Sequence, residues 1–167
     1  MPTSRISPST QHPAKCIKAL MVGKKSEEKA VGVSKGGRNT KIHALVDGLG
    51  NPLAFLLSPG NDHDSKHAVS LLDQVNIEGS NVLGDKAYGA KAIRDYIESQ
   101  EAFYTIPPKN DAADPWPVDW YTYKERHLIE CFFQKLKWFR RVFTRYEKLD
   151  VSFLAFIYIA AIALLLR

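Results

Sequence analysis

Between Tyr123 and Lys137 the chain reads Tyr-Lys-Glu-Arg-His-Leu-Ile-Glu-Cys-Phe-Phe-Gln-Lys-Leu-Lys. Wound as a helix at about 100° per residue from Tyr123, Arg126 falls at about −60°, Glu130 at about −20° and Lys137 at about −40°. An aromatic hydroxyl, a guanidinium, a carboxylate and an ammonium therefore share one narrow stripe. Leu128, Ile129, Phe132, Phe133, Leu136, Phe139 and Phe143 fall on the opposite side, between about 140° and 280°. One face is built to pack and the other is free to meet a ligand. Phosphodiester chemistry uses this mix: a carboxylate holds Mg²⁺, which polarises a phosphoryl oxygen and activates water or a 3′-hydroxyl, while Arg and Lys hold neighbouring phosphates. The competing reading is a solvated face on which Arg126 and Glu130 form an i,i+4 ion pair worth only about 0.3–0.5 kcal/mol.

A second carboxylate stands where a scaffold would deliver it. The short apolar run Asn81-Val82-Leu83-Gly84 ends at Asp85, the pattern of a buried strand with an acid at its tip. Thr40-Lys41-Ile42-His43-Ala44-Leu45-Val46 and Leu53-Ala54-Phe55-Leu56-Leu57 flank the turn formers Asp47 to Pro52 and predict a β-hairpin. Ser58 to Asp62 break the second strand, and an acid or amide there would cap a helix from Lys66 to Val75. Lys91 to Ser99 predicts another helix, and Phe103 to Ile106 a strand stopped by Pro107-Pro108. Asp111 to Trp120 is a connecting loop, followed by helices from Tyr123 to Phe143 and from Val151 to Leu166. Strands and helices alternate after the hairpin, so the class is α/β. The last helix is apolar except for Ser152 and Tyr158, but its sixteen residues fall short of the roughly 18–20 that span a bilayer. It is expected in a core.

The 167 residues carry a formal charge of +5, distributed unevenly. Residues 1–41 hold nine basic against two acidic side chains, 42–120 five against twelve, and 121–167 nine against four. Basic ends around an acidic centre suit phosphate contacts flanking cation-binding carboxylates, although solvated surface charge reads the same way. Cys16 and Cys131 form no CxxC pair and no cleavable signal pattern precedes them, as expected of a reducing cytoplasm.

Tyr123, Arg126, Glu130 and Lys137 have the spacing Y-x2-R-x3-E-x6-K. This resembles the signature of DDE transposases of bacterial insertion sequences, in the broad insertion-sequence-four and insertion-sequence-five grouping. The similarity takes in Ser34-Lys35-Gly36-Gly37, Thr40-Lys41-Ile42-His43, His63-Asp64, Asp85-Lys86-Ala87-Tyr88 and Phe139-Arg140-Arg141, and spans residues 31 to 167. It implies a ribonuclease-H-like mixed sheet with flanking helices, in which two aspartates on adjacent strands and a helical glutamate form the site. Asp85 matches the second aspartate and Glu130 the glutamate, as catalytic residues and metal ligands. With a first aspartate they would hold two Mg²⁺ or Mn²⁺ ions about 3.5–4 Å apart. The implied reaction is hydrolysis at the transposon ends, then strand transfer into target DNA, with Tyr123, Arg126 and Lys137 contacting double-stranded DNA. A homodimer is compatible with that chemistry.

The first aspartate is missing from this pattern. Residues 1–46 contain no aspartate, and their acids are Glu27 and Glu28. Asp47 opens a hairpin turn rather than ending an apolar strand. Residues 1–30, rich in Ser, Pro, Thr and Lys, read as an irregular or disordered basic segment. The sequence thus predicts a partial catalytic domain over 31–167, without a recognisable first strand. It would be the downstream product of an interrupted or frameshifted gene, completed by an upstream segment that supplies the first aspartate. The alternatives are an inactive remnant that only binds DNA, and a stand-alone nuclease.

Three weaker signals have bland explanations. His63 and His67 have an i,i+4 metal spacing but lack a third ligand and suit a helix start. Gly36-Gly37 could cradle a phosphate but more simply turns the chain. Cys131 lacks partners for nucleophilic catalysis.

Overall fold

The computed structural model describes residues 13–24, 32–34, 37–110 and 112–166. The proposed phosphate cradle at Gly36-Gly37 falls partly outside them, as do residues 1–12 and 25–31.

Strand β1 (Ala14–Lys24) is followed by β2 (Gly32–Ser34), β3 (Gly37–Asp47) and β4 (Pro52–Pro59). Helix α1 (Ser65–Leu72), β5 (Asn81–Leu83), α2 (Lys91–Ser99) and β6 (Phe103–Thr105) complete the alternating part. Then come α3 (Trp120–Tyr123), α4 (His127–Leu136), α5 (Arg140–Phe143), β7 (Thr144–Arg145) and α6 (Asp150–Leu165). The sheet runs β4-β3-β1-β5-β6: β3 is antiparallel to both β4 and β1, and β5 and β6 run parallel to β1. An antiparallel hairpin joined to parallel strands, with helices on both faces, is the ribonuclease-H-like mixed sheet.

Strand β1 corrects the sequence reading twice. Ala14–Lys24 is not irregular, and the sheet does not lack its first strand: β1 lies at the centre, with β3 on one side and β5 on the other. Its period of two explains why it is buried there. Ala14, Cys16 and Val22 join the core under α4 and α6, whereas Ile17 joins the core under α1 and α2. In β3 the same alternation sends Ile42, Ala44 and Val46 to the α4 and α6 side and Leu45 to the other.

The β3–β4 hairpin forms where turn chemistry dictates. Asp47 Oδ1 accepts from the amides of Leu49 and Asn51 at 2.9 Å, and Gly50 takes φ +83°, a conformation that favours glycine. The carboxylate of Asp47 serves the turn. Helix α1 begins after Asp64, whose side chain makes no capping bond and instead pairs with Lys41 at 2.7 Å.

The long helix expected from Tyr123 to Phe143 is broken. A 3₁₀ turn at Lys124–Arg126 joins α3 to α4, and Phe139 at φ −85°, ψ 100° separates α4 from α5. The break lets the chain return to the sheet, where Thr144 and Arg145 pair with Gly23 and Lys24 of β1. Buried Arg145 secures that return, donating to Thr40 Oγ1 at 2.9 Å and pairing with Asp150. Helix α6 buries Phe153, Ile157, Ala160 and Ala161 but exposes Val151, Ile159, Ile162 and Leu165. No helix among the described residues is long and apolar enough to cross a membrane.

Candidate functional site

Asp85 emerges two residues beyond β5. Gly84 permits this, because a Cβ there would lie 3.2 Å from Ile17 Cγ2 on β1 and 3.3 Å from Tyr88 Cβ. The Asp85 carboxylate then accepts from the amide of Ala87 at 2.8 Å, starting a 3₁₀ turn. Beside it opens a groove of about 710 Å³ lined by Asp85, Lys86, Pro107, Lys109, Trp120 and Tyr123, among others. A smaller groove of about 400 Å³ continues past Lys86 and Lys109 to His63 and Asp64. The structure therefore brings Asp85 and Tyr123, distant in sequence, to one trough with cations along its wall.

Glu130 stands on the first turn of α4. Its Oε1 accepts from Arg126 Nη2 at 2.8 Å and from Lys18 Nζ at 2.9 Å. The Lys18 hydrogen bond is the main reason its carboxyl pKa lies below the usual range, with burial opposing and Arg126 adding to the effect. The Arg126 guanidinium sits 5.5 Å from the Tyr123 ring centroid, and Trp120 meets that ring edge-on at 5.5 Å. Tyr123, Arg126 and Glu130 thus form one cluster despite the 3₁₀ turn between α3 and α4. Lys137 caps the far end of α4, about 10 Å further along the axis at the usual rise per residue. A cation there also suits the helix dipole.

Lys18 is the residue the sequence reading missed. It belongs to the row Ala14, Cys16, Lys18, Leu20, Val22 on the face of β1 turned to α4, as its bond to Glu130 shows. The sole signal available was one lysine within an otherwise apolar alternate row. The parallel register pairs Cys16 with Leu83, the last residue of β5, and Lys18 stands two residues further along β1. Next to it, burial pushes the Cys16 thiol up to about 12, with Glu125 adding to that shift.

The donor set does not fit a divalent cation. Among the described residues no three His, Cys, Asp or Glu side chains gather to hold one, and Glu130 Oε1 already has an ammonium and a guanidinium. His67 pairs with Asp62 at 3.1 Å rather than with His63, and Cys131 is a free, exposed thiol.

Residues 10–115 match the family described as transposase DDE domain. The chain belongs to the DDE transposases. The match takes in β1 and Asp85 and ends before α3. This DDE-family chain is also 40% identical over 129 residues to a protein of Brucella ovis described as a transposase for insertion sequence element IS6501, covering 77% of this chain and 98% of that one. Among solved structures it is similar to the piggyBac transposase synaptic complex with hairpin DNA, with TM-score 0.47 and 12% identity over 60% of this chain and 24% of that chain. The Mos1 transposase paired-end complex with the left transposon end gives TM-score 0.41 and 14% identity, over 84% and 50%. The chain spans half or less of the length of these solved transposases.

Proposed function

We propose that this insertion-sequence transposase chain binds transposon-end DNA through Tyr123, Arg126 and Lys137 and does not itself cut it. The observation that carries the reading is the pairing of Glu130 with both Lys18 and Arg126. The resemblance assigns Asp85 and Glu130 to catalysis and to binding two Mg²⁺ or Mn²⁺ ions. Here one of those carboxylates is satisfied by the chain's own cations, while the basic and aromatic groups that would grip a phosphate backbone remain in place. The 40% identity to a protein described as a transposase for an insertion sequence element supports DNA as the partner. The reading calls on no upstream strand, since β1 holds the place between β3 and β5.

Backbone binding is salt-dependent because phosphate contacts release counterions. Affinity for a duplex carrying the element's ends should therefore fall with salt. Arg126→Ala and Lys137→Ala should each lower the slope of log affinity against log salt by about 1. Fluorescence anisotropy across a salt series reads both effects, and unchanged slopes in both variants would refute the assigned interface. Cleavage of that duplex by the purified chain in Mg²⁺ or Mn²⁺, abolished by Glu130→Gln, would instead establish metal-dependent strand cleavage, and a joined product with target DNA would establish strand transfer.

A further inference from the structure

We infer that the Lys18 ammonium is a tethered counter-ion on Glu130, so that this carboxylate is closed to divalent metal by the chain's own cations. The inference rests on the non-cleaving reading above and gives it a specific cause.

Three observations converge on Lys18. It lies on the central strand, two residues beyond Cys16, the last residue of β1 paired with β5. Its side chain leaves an apolar row to reach Glu130 Oε1 at 2.9 Å and is only 32% exposed. The same oxygen also takes Arg126 Nη2 at 2.8 Å. A buried or half-buried carboxylate needs a partner, and a divalent cation would serve it as well as an ammonium does. Lys18 and Arg126 place two positive charges on the single carboxylate of Glu130 before any metal arrives. A divalent cation would have to displace an ammonium held on a covalent tether and then sit beside it, with unfavourable charge on both counts. Replacing Lys18 by a carboxylate removes the repulsion and adds an oxygen ligand on β1 facing Glu130.

The test is Mn²⁺ binding by the full chain, followed by isothermal titration calorimetry and by the loss of the free-ion electron paramagnetic resonance signal. The wild type should show no saturable binding dependent on Glu130. Lys18→Asp should bind Mn²⁺ at least about tenfold more tightly than the wild type, as expected when a group that sets a metal site is changed, and adding Glu130→Gln should abolish the gain. Should Lys18→Asp be unfolded without metal, folding on addition of Mn²⁺, followed by circular dichroism, is the supporting result. Lys18→Met fits the apolar row and only removes the charge. It should show weaker binding that still disappears with Glu130→Gln. Wild-type binding as tight as that of Lys18→Asp, or no gain in either variant, overturns the inference. DNA anisotropy in metal-free buffer separates the two claims: lost DNA binding would sink the proposed function and leave the metal result standing.

Discussion

The histidine at the centre of β3 should make stability depend on pH in a calculable way. His43 is 1% exposed, its Nε2 lies 2.7 Å from Ser58 Oγ, and its ring centroid is 5.1 Å from that of His67. Burial, then His67 and Lys41, hold its pKa down to about 4, while Asp64 and Asp62 oppose. The folded state therefore keeps the ring neutral, whereas the unfolded chain takes up a proton below about 6.5. A folded pKa below the unfolded one means the unfolded state binds more protons between the two values, so stability rises with pH there. His43 contributes fully above about pH 6.5, and this contribution is lost as pH falls toward 4. The whole shift is worth roughly 3 kcal/mol, of which about 2 kcal/mol is lost between pH 7 and pH 5. His43→Gln removes the titrating group and leaves Asp62, Asp64, Lys41 and His67 in both proteins. Urea unfolding of the two at pH 7, 6 and 5 should show wild type the more stable at pH 7, by a margin that narrows by about 2 kcal/mol at pH 5. A margin that stays constant, or widens toward acid, would refute the assignment of a neutral buried His43.

Other expectations concern the frame around the site. Arg145→Met should cost about 3–5 kcal/mol in chemical denaturation, because it strands Asp150 and the carbonyls of Glu147 and Lys148 without their buried donor; a loss below 1 kcal/mol would show that the Arg145 network is not what docks β7. Gly50→Ala has space, its nearest neighbour being Leu128 Cβ at 3.8 Å, so the loss should be only the conformational cost of positive φ, about 1–2 kcal/mol by thermal unfolding. Ile159→Lys and Ile162→Lys, on the uncovered side of α6, should change stability by less than about 0.5 kcal/mol while reducing self-association in light scattering. Unchanged association would show that this face is not the sticky one.

Features written in neighbouring residues were legible. The hairpin was readable because Asp47, Gly48, Gly50 and Pro52 carry their turn chemistry locally, and Asp85 was readable because it ends a short run of β-type residues. β1 was not, because its evidence is non-local. Lys15, Lys18 and Lys24 interrupt the apolar pattern, and only pairing with β3 and β5, dozens of residues away, makes the strand worth forming. The break at Phe139 was hidden for the related reason that no glycine or proline marks it. The amphipathic pattern runs on unbroken, and the burial of Arg145 against Thr40 and Asp150 overrides helix propensity there.

Lys18 links the missed strand to the candidate site. A cluster of three carboxylates at the meeting of β1, β5 and α4 would repel itself until a cation entered, and fold and metal would then be coupled. With an ammonium on the central strand, the same junction is attractive without any ion, so the sheet keeps its register and α4 keeps its place against β1. What an ammonium cannot supply is a second oxygen ligand or a Lewis acid for phosphoryl transfer. Tyr123, Arg126 and Lys137 lie on α3, α4 and the turn between them, and depend on that docking rather than on a metal. On the proposed reading, an ammonium at this junction keeps the platform for gripping DNA without supplying the means of breaking it.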